Sequence, residues 1–334
     1  MIREAYRSDR QMDQILASLS ANMTLAVSGE KLAQELGISH SRVLRLVERL
    51  RSAGVEIQGE AFSGFRLMRL PDILMPPRVA ERLHTGRFGR TMYHLYTIDS
   101  TNAFADLLLA EEGAAPHGTV VLAEQQTAGR GRLGRTWVSA PGAGLYMTLV
   151  LRPQIPSYLA PLMTLAAAVA AHESLERVTG LDVDVKWPND LLIGSLKVGG
   201  ILCELQAELD RVRSITVGMG INVNHEAFPE DIRDVATSLA MAGDRKYSRI
   251  EVLIDFLATL ERLYTRFVAR GPGVVVDAWS GASSFAEGRR LEVHDGVRKI
   301  AGVTAGLTEL GALRIRNAAG VIEEVYSGDV LGWE

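Results

Sequence analysis

The sequence holds a single cysteine, Cys203, among 334 residues. That excludes an intrachain disulfide and a cysteine-cluster metal site, and it fits a reducing cytoplasm. A long hydrophobic run is missing too. The most apolar stretch, LAPLMTLAAAVAA at 159–171, falls short of the ~18–20 residues of a membrane span and ends at His172 and Glu173, so it reads as a buried helix. The N-terminal MIREAYRSDRQ carries no apolar signal region. Neither sign of charge dominates: 36 basic against 40 acidic residues leave a formal net charge of −4, so nucleic-acid binding would need a local patch. The 7 histidines show no metal-ligand spacing, and no internal repeat or low-complexity tract occurs. What remains is ordinary globular composition, 47% apolar and 23% charged, with length for two or three domains.

Residues 1–68 form the first predicted unit. Leu32, Ala33 and Leu36 lie at helical spacing, and Gly37 breaks that helix. Ser39 or Ser41 caps a second one that turns Val43, Leu44, Val47 and Leu50 inward. Two strand-like pieces, VEIQ and FRLM, follow as a hairpin. Helix, tight turn, helix and β-wing describe a winged helix-turn-helix. Its second helix opens with Ser39, His40 and Ser41 and carries Arg42, Arg45 and Arg49 on one face, which reads either as a solvated face or as a DNA contact; the turn and the wing favour DNA. Residues 69–78, with Pro71, Pro76 and Pro77, form the linker, and the proline pair favours extended backbone. Residues 79–272 alternate strands and helices. Residues 273–334 are strand-rich and punctuated by glycine, as a small SH3-like β-barrel would be. The expected class is α+β or mixed α/β, with the central sheet carrying a ligand site on one face.

Two stretches carry chemistry. The first, GRGRLGR at 129–135, matches the G-x-G-x-x-G of dinucleotide-binding folds, but no helix opens after it and no acid stands about 20 residues on, so the match is a decoy. Nor does Gly-Lys-Ser/Thr follow, as a phosphate-binding P-loop requires. Gly129, Gly131 and Gly134 instead let backbone N–H groups approach a ligand. Arg130, Arg132 and Arg135 add planar forks suited to phosphate or carboxylate. A loop so charged and glycine-rich should be mobile when empty and ordered by an anion. The second stretch, KWPNDLLIGSLK at 186–197, reads as a corner and a hairpin. A two-residue turn at Gly194-Ser195 sets Ile193 opposite Leu196 and Leu192 opposite Lys197. Lys186 and Lys197 then share a neighbourhood with Asp190, which suits a nucleotide phosphate with a divalent ion. Cys203 reads as core.

EQQTAGRGRLGRTW, KWPNDLLIGSLKVGGILCEL and VGMGINVN, in this order, resemble the biotin protein ligases. With the winged helix, the chain is similar to their bifunctional bacterial form, which also represses transcription. The resemblance spans nearly the whole chain. It implies a biotin/lipoate-ligase-like catalytic core, ATP and Mg²⁺ as cofactors, biotin as substrate, a biotin carboxyl carrier domain and operator DNA as partners, and a homodimer when the adenylate is bound. It places Ser100, Thr101 and Asn102 at the biotin ureido end, and Gln126, Gly129, Arg130 and Gly131 in the biotin loop, with Arg130 near the biotin carboxylate. Arg132 and Arg135 would meet phosphate, Trp137 and Asn222 adenine. Lys186, Asn189 and Asp190 form the nucleotide corner, Asp190 as a candidate Mg²⁺ ligand, and Lys197 touches the reacting carbonyl and α-phosphate. Gly200 and Ile201 supply backbone and wall of the biotin pocket. The resemblance makes Lys197, Arg132, Lys186 and Asp190 the catalytic set. Thr127 stands where many relatives have glutamine. A lipoate-protein ligase and a sensing repressor without catalysis are the alternatives.

Overall fold

The computed structural model describes residues 2–60, 62–69, 72–111, 115–208 and 211–333, with backbone alone at 2–5. Three helices come first: α1 (Ile2–Ala21), α2 (Gly29–Leu36) and α3 (His40–Ser52). The Ser28 and Ser39 hydroxyls accept the amides of Lys31 and Arg42, capping α2 and α3, and Gly37 closes α2 in the left-handed region at φ 63°. Strands β1 (Ile57–Glu60) and β2 (Gly64–Leu67) pair antiparallel as the wing. Met12, Ile15, Leu16 and Leu19 of α1 pack with Leu32, Val47, Leu50 and Phe65 into a separate small core. Residues 70 and 71 of the expected linker lie outside the described residues. Its remainder is not extended throughout: Pro76 and Pro77 open a short helix, α4 (Pro76–Ala80). Proline is tolerated in a first helical turn because those amides have no helical acceptor.

The middle comprises β3 (Met92–Leu95), α5 (Thr101–Ala110), β4 (Thr119–Ala123), β5 (Gly144–Leu151), α6 (Leu162–Thr179), β6 (Asp184–Lys186), β7 (Asp190–Ile193), β8 (Leu196–Glu208), β9 (Arg211–Asn222), α7 (Leu239–Gly243) and α8 (Arg249–Arg270). Its mixed sheet has the order β3-β4-β5-β9-β8-β7-β6, with β3 and β4 parallel and every other pair antiparallel. The alanine-rich α6 and the apolar stripe of α8 cover one face, where Leu149, Ile201, Val217 and Ile221 are buried. Each such side chain contributes about 1.5–3 kcal/mol. On the other face α5 covers only part of the sheet, and its N-terminus meets Thr148 of β5. The uncovered remainder holds the site.

The chain ends with α9 (Gly273–Ala282) and β10 (Glu287–His294), β11 (Lys299–Leu307), β12 (Leu313–Arg316), β13 (Ile322–Val325) and β14 (Asp329–Trp333). The strands form an antiparallel sheet, β13-β12-β11-β10-β14. Residues 273–282, expected in the strand-rich unit, are helical, and Val275 and Trp279 are fully buried in the cluster that contains α6 and α8. The indole of Trp187 donates to Gly311 O at 3.2 Å and joins the sheet core to the terminal sheet.

A buried polar network joins the winged helix to the core. Asp13 of α1 accepts from His94 Nδ1 at 2.9 and 3.0 Å, His94 Nε2 donates to Glu124 at 3.1 Å, and Glu124 meets Arg249 at 2.8 Å. Arg249 also faces Asp72 at 3.3 Å. Burial alone would lower the His94 pKa, but the Asp13 charge and the bonds to Asp13 and Glu124 raise it to about 10. Burial alone would raise Glu124, yet Arg249 and His94 bring it down to about 2.

Candidate active site

The open part of the sheet is floored by glycine. Gly218 and Gly220 of β9 and Gly200 of β8 lie on one face, and Gly200 pairs with Gly220. A Cβ at 220 would come within 2.4 Å of the Trp137 ring, and one at 218 within 2.3 Å of Asn102. Their missing side chains make room for those two residues, and beside them a cavity of about 310 Å³ opens.

β4 leads straight into the arginine loop. The loop does not begin a helix. It doubles back, with Arg130 bridging to Thr136 and the Gly131 amide donating to Arg135 O at 2.7 Å. Between them lies a single 3-10 turn in which Leu133 takes a left-handed φ of 55° and is exposed. Arg132 donates to Asn189 Oδ1 at 3.3 Å and to Gly328 O at 3.2 Å. Arg135 forms an ion pair with Asp329.

The β7–β8 hairpin follows the predicted register, Ile193 opposite Leu196 and Leu192 opposite Lys197. Asp190 stands between the two lysines, 2.5 Å from Lys197 Nζ and 3.4 Å from Lys186 Nζ. Lys197 lies over the Trp137 ring at 5.6 Å, and Lys186 over the Trp333 ring at 4.6 Å. At the opposite end, Gln126 Oε1 accepts from the Thr101 amide at 2.9 Å, and its Nε2 donates to Ser139 at 3.1 Å. Every ligand residue named from the sequence lines this one cavity except Gly129 and Lys186. Gly129 sits behind, its carbonyl accepting from the Trp137 amide at 2.9 Å. Ile201 lines it by backbone, since its side chain belongs to the core.

Sequence reasoning missed two contributors. Residues after β9 fold across the mouth and bring Phe228, Ile232, Val235 and Ala236 to the lining. Val235 O accepts the Lys197 amide at 2.8 Å, and Thr237 O accepts from Asn222 Nδ2 at 3.0 Å. No local motif marks that segment. The other contributor is β14, whose Asp329 and Trp333 engage Arg132, Arg135 and Lys186; only the tertiary packing of the terminal sheet reveals it.

As for metal, the described residues contain no cluster of three or more histidine, cysteine or acidic side chains arranged for an ion. Asp190 is one carboxylate with each oxygen facing a lysine. That donor set fits Mg²⁺ only as part of a nucleotide complex, with phosphate oxygens supplying most ligands.

The three arginines of the winged helix do not act alike. Arg49 meets Asp9 of α1 at 2.8 Å, and Arg42 donates to Gln11 at 2.7 Å, whereas Arg45 is exposed. Asp9 is buried and needs a cation, which ties the still half-exposed Arg49 guanidinium to α1. Ser39 is occupied as the cap, Ser41 is exposed, and His40 is half-buried against Gly29.

Comparisons with known proteins agree with this geometry. Residues 94–222 match the model of the biotin/lipoate A/B protein ligase family, and residues 11–66 match a helix-turn-helix domain. The bifunctional ligase/repressor BirA of Bacillus spizizenii is 38% identical over 91% of this chain and 93% of its own. The biotin–[acetyl-CoA-carboxylase] ligase of Paracoccus denitrificans is 34% identical over 66% of this chain and 92% of its own. The solved biotin protein ligase of Aquifex aeolicus in complex with biotin and ATP superposes with a TM-score of 0.61 at 30% identity, covering 73% of this chain and 99% of that one. With an arginine loop, a lysine–acid corner and a helix-turn-helix unit in one chain, and a relative of that identity along nearly its whole length, the protein belongs to the family of bifunctional biotin protein ligases and repressors.

Proposed function

We propose that this chain joins biotin to AMP in the cavity, passes the biotinyl group to a lysine of a biotin carboxyl carrier domain of acetyl-CoA carboxylase, and represses transcription through its winged helix. In the first step a biotin carboxylate oxygen attacks the α-phosphorus of ATP. An O–P bond forms, the α–β P–O bond breaks and pyrophosphate leaves. In the second, the carrier lysine's neutral amine attacks the acyl carbon. The C–N bond forms, AMP departs with the C–O electron pair, and the amine loses a proton.

The observation that carries this reading is the convergence of Arg132, Lys197, Asp190 and the Ser100–Asn102 turn on one cavity of about 310 Å³, a size that suits a small ligand. Lys197 and Arg132 stand where negative charge grows during adenylation, and fixed cations there favour that charge over the ground state. Trp137, whose buried Nε1–H has no partner among the described residues, is the wall for the adenine. Mg²⁺, when present, shields the triphosphate. Segment 224–238 and the arginine loop together keep water from the anhydride. Arg45 and Ser41 are the residues offered to DNA phosphates, and the adenylate-bound protein pairs with a second copy on the operator.

ATP–pyrophosphate exchange measured with biotin and with lipoate tests the reading. Exchange driven by biotin, followed by transfer of labelled biotin to an apo carrier domain, is the expected result. Exchange driven by lipoate alone would make this a lipoate ligase. Exchange without transfer to the carrier would leave only a sensor. Operator binding that ignores biotin plus ATP would remove the repressor half.

A further inference from the structure

Behind the polar end of the cavity, in contact with Asn102 of its lining, stands one acid that the reaction leaves unused. Glu204 lies on β8, and its Oε2 accepts a 2.6 Å hydrogen bond from Asn102 Nδ2. The same amide nitrogen reaches Leu202 O at 3.4 Å. Both partners are acceptors only, so the amide has one orientation: Nδ2 toward β8, Oδ1 toward β5. There the fully buried Thr148 donates to Asn102 Oδ1 at 2.6 Å. With Asn102 4% exposed and Gly218 directly beneath it, the side chain has no room to turn to a ligand.

Proton counting then assigns the neighbours. Thr148 has one hydroxyl hydrogen, and Asn102 takes it. The Thr101 hydroxyl lies 2.9 Å from Thr148 and 3.1 Å from Gln126 Oε1, so its hydrogen goes to one of these. Gln126 is itself fixed, because its Oε1 takes the Thr101 amide hydrogen. One of its two N–H hydrogens serves Ser139, and among the described residues the other has no acceptor. Ser100, 3% exposed, accepts from the Ala103 amide, and among the described residues its own hydroxyl hydrogen has no acceptor. Two donors, one on Ser100 and one on Gln126, are left for the ligand.

We infer that Glu204 is a positioning residue for recognition of a cyclic urea: it locks Asn102 as a fixed wall, leaving Ser100 and Gln126 to donate to the urea carbonyl. The inference rests on the reading of the cavity as a biotin site, and it withdraws Asn102 from the direct contact that the resemblance implied. A carboxylate suits the task because the bond to Leu202 O alone is long. Without Glu204 the amide keeps only the long bond to Leu202 O and loses its fixed orientation; when it turns, Thr148 must hand its hydrogen to Thr101, and the wall beside the urea is rearranged.

The test is steady-state ATP–pyrophosphate exchange on the full chain, with biotin and with desthiobiotin, which retains the urea. Glu204→Leu is expected to raise KM for both probes by about tenfold while kcat stays within about twofold and KM for ATP is unchanged. Glu204→Gln keeps an acceptor and recovers most of the loss. Thr148→Val, which removes the donor on the other side of Asn102, reproduces the KM-only effect and carries the test if Glu204→Leu does not fold. In an Asn102→Ala background, Glu204→Leu adds nothing further, because the acid acts only through that amide. A wild-type biotin KM in both Glu204→Leu and Thr148→Val, equal damage from Leu and Gln at 204, or additive losses in the double variant would each overturn the inference alone. A wild-type protein without biotin-dependent exchange would instead overturn the biotin reading, and this inference with it.

Discussion

At Gly220 the site depends on a side chain that is not there. A methyl group would sit 2.4 Å from Cε2 and 2.5 Å from Nε1 of Trp137. A rigid indole cannot yield as a lysine tip can, so Gly220→Ala must push Trp137 into the cavity. We predict exchange activity lowered by at least about tenfold with KM for ATP raised, while the melting temperature moves by only a few degrees, about the scale of a 1 kcal/mol change in a large domain. Kinetics beside a thermal melt would check it; unchanged kinetics would mean that the indole is not the nucleotide's wall. Lys197 presents the opposite case, a group present and already partnered. Its ammonium is 2.5 Å from Asp190. Lys197→Met should lower kcat for adenylation by about a hundredfold, the typical cost of one lost charge stabiliser, and leave biotin affinity within several-fold. Equilibrium binding beside single-turnover adenylation separates the two effects.

Elements whose local pattern agrees with their packing were legible in the sequence. The β7–β8 hairpin was read to its register because a Gly-Ser turn with alternating apolar residues leaves few options. The cap, glycine and apolar stripe of α2 and α3 were equally plain. Helix α1 was not, for a physical reason: its buried face carries Asp9, Gln11 and Asp13 where periodicity asks for apolar side chains, and those residues pair with Arg49, Arg42 and His94, which no single-sequence pattern supplies. The same pairing divides the basic face of α3. Arg45→Ala should weaken operator binding and reduce the slope of log K against log salt by about one, the signature of a lost phosphate contact. Arg49→Ala should instead lower the melting temperature of the winged helix by leaving buried Asp9 unpaired. Equal salt slopes for the two variants would refute the division. The cavity residues on segment 224–238 and on β14 were invisible for a related reason. They come to the site by chain crossing, and a reading of neighbours in sequence registers only the strands that precede them.

On the scale of the whole molecule, the junction between DNA-binding unit and core is ionic as well as apolar. His94 lies between Asp13 and Glu124, Arg249 backs Glu124, Arg49 faces Asp9, and the Tyr96 hydroxyl donates to Asp13 at 3.1 Å. Its dependence on pH follows from the direction of each shift. The His94 pKa is raised in the fold, to about 10 from an ordinary value of 6.5, so its contribution is complete below about pH 6.5 and is lost as pH climbs through about 10. Glu124 is shifted down, to about 2 from 4.5, so its contribution is complete above about pH 4.5 and fades only toward pH 2. Asp9 is pushed up by burial against the pull of Arg49. Burial lowers His225 to about 4 and lowers His117 as well; both are neutral in the fold, and their contribution is complete above about pH 6.5. Tyr96, pushed up chiefly by burial, stays protonated throughout. Among these groups, then, only His94 changes its contribution between about pH 7 and pH 9. The wild-type melting temperature should therefore fall across that interval. His94→Gln, neutral at every pH, should start lower at pH 7, because Asp13 and Glu124 lose their shared cation, and then run nearly flat. Glu124 lies immediately before Gln125 and Gln126, at the root of the arginine loop, so the loss should register in biotin affinity as well as in the melt. A His94→Gln protein whose alkaline slope matches the wild type would show that the clasp between the two units does not hold a proton.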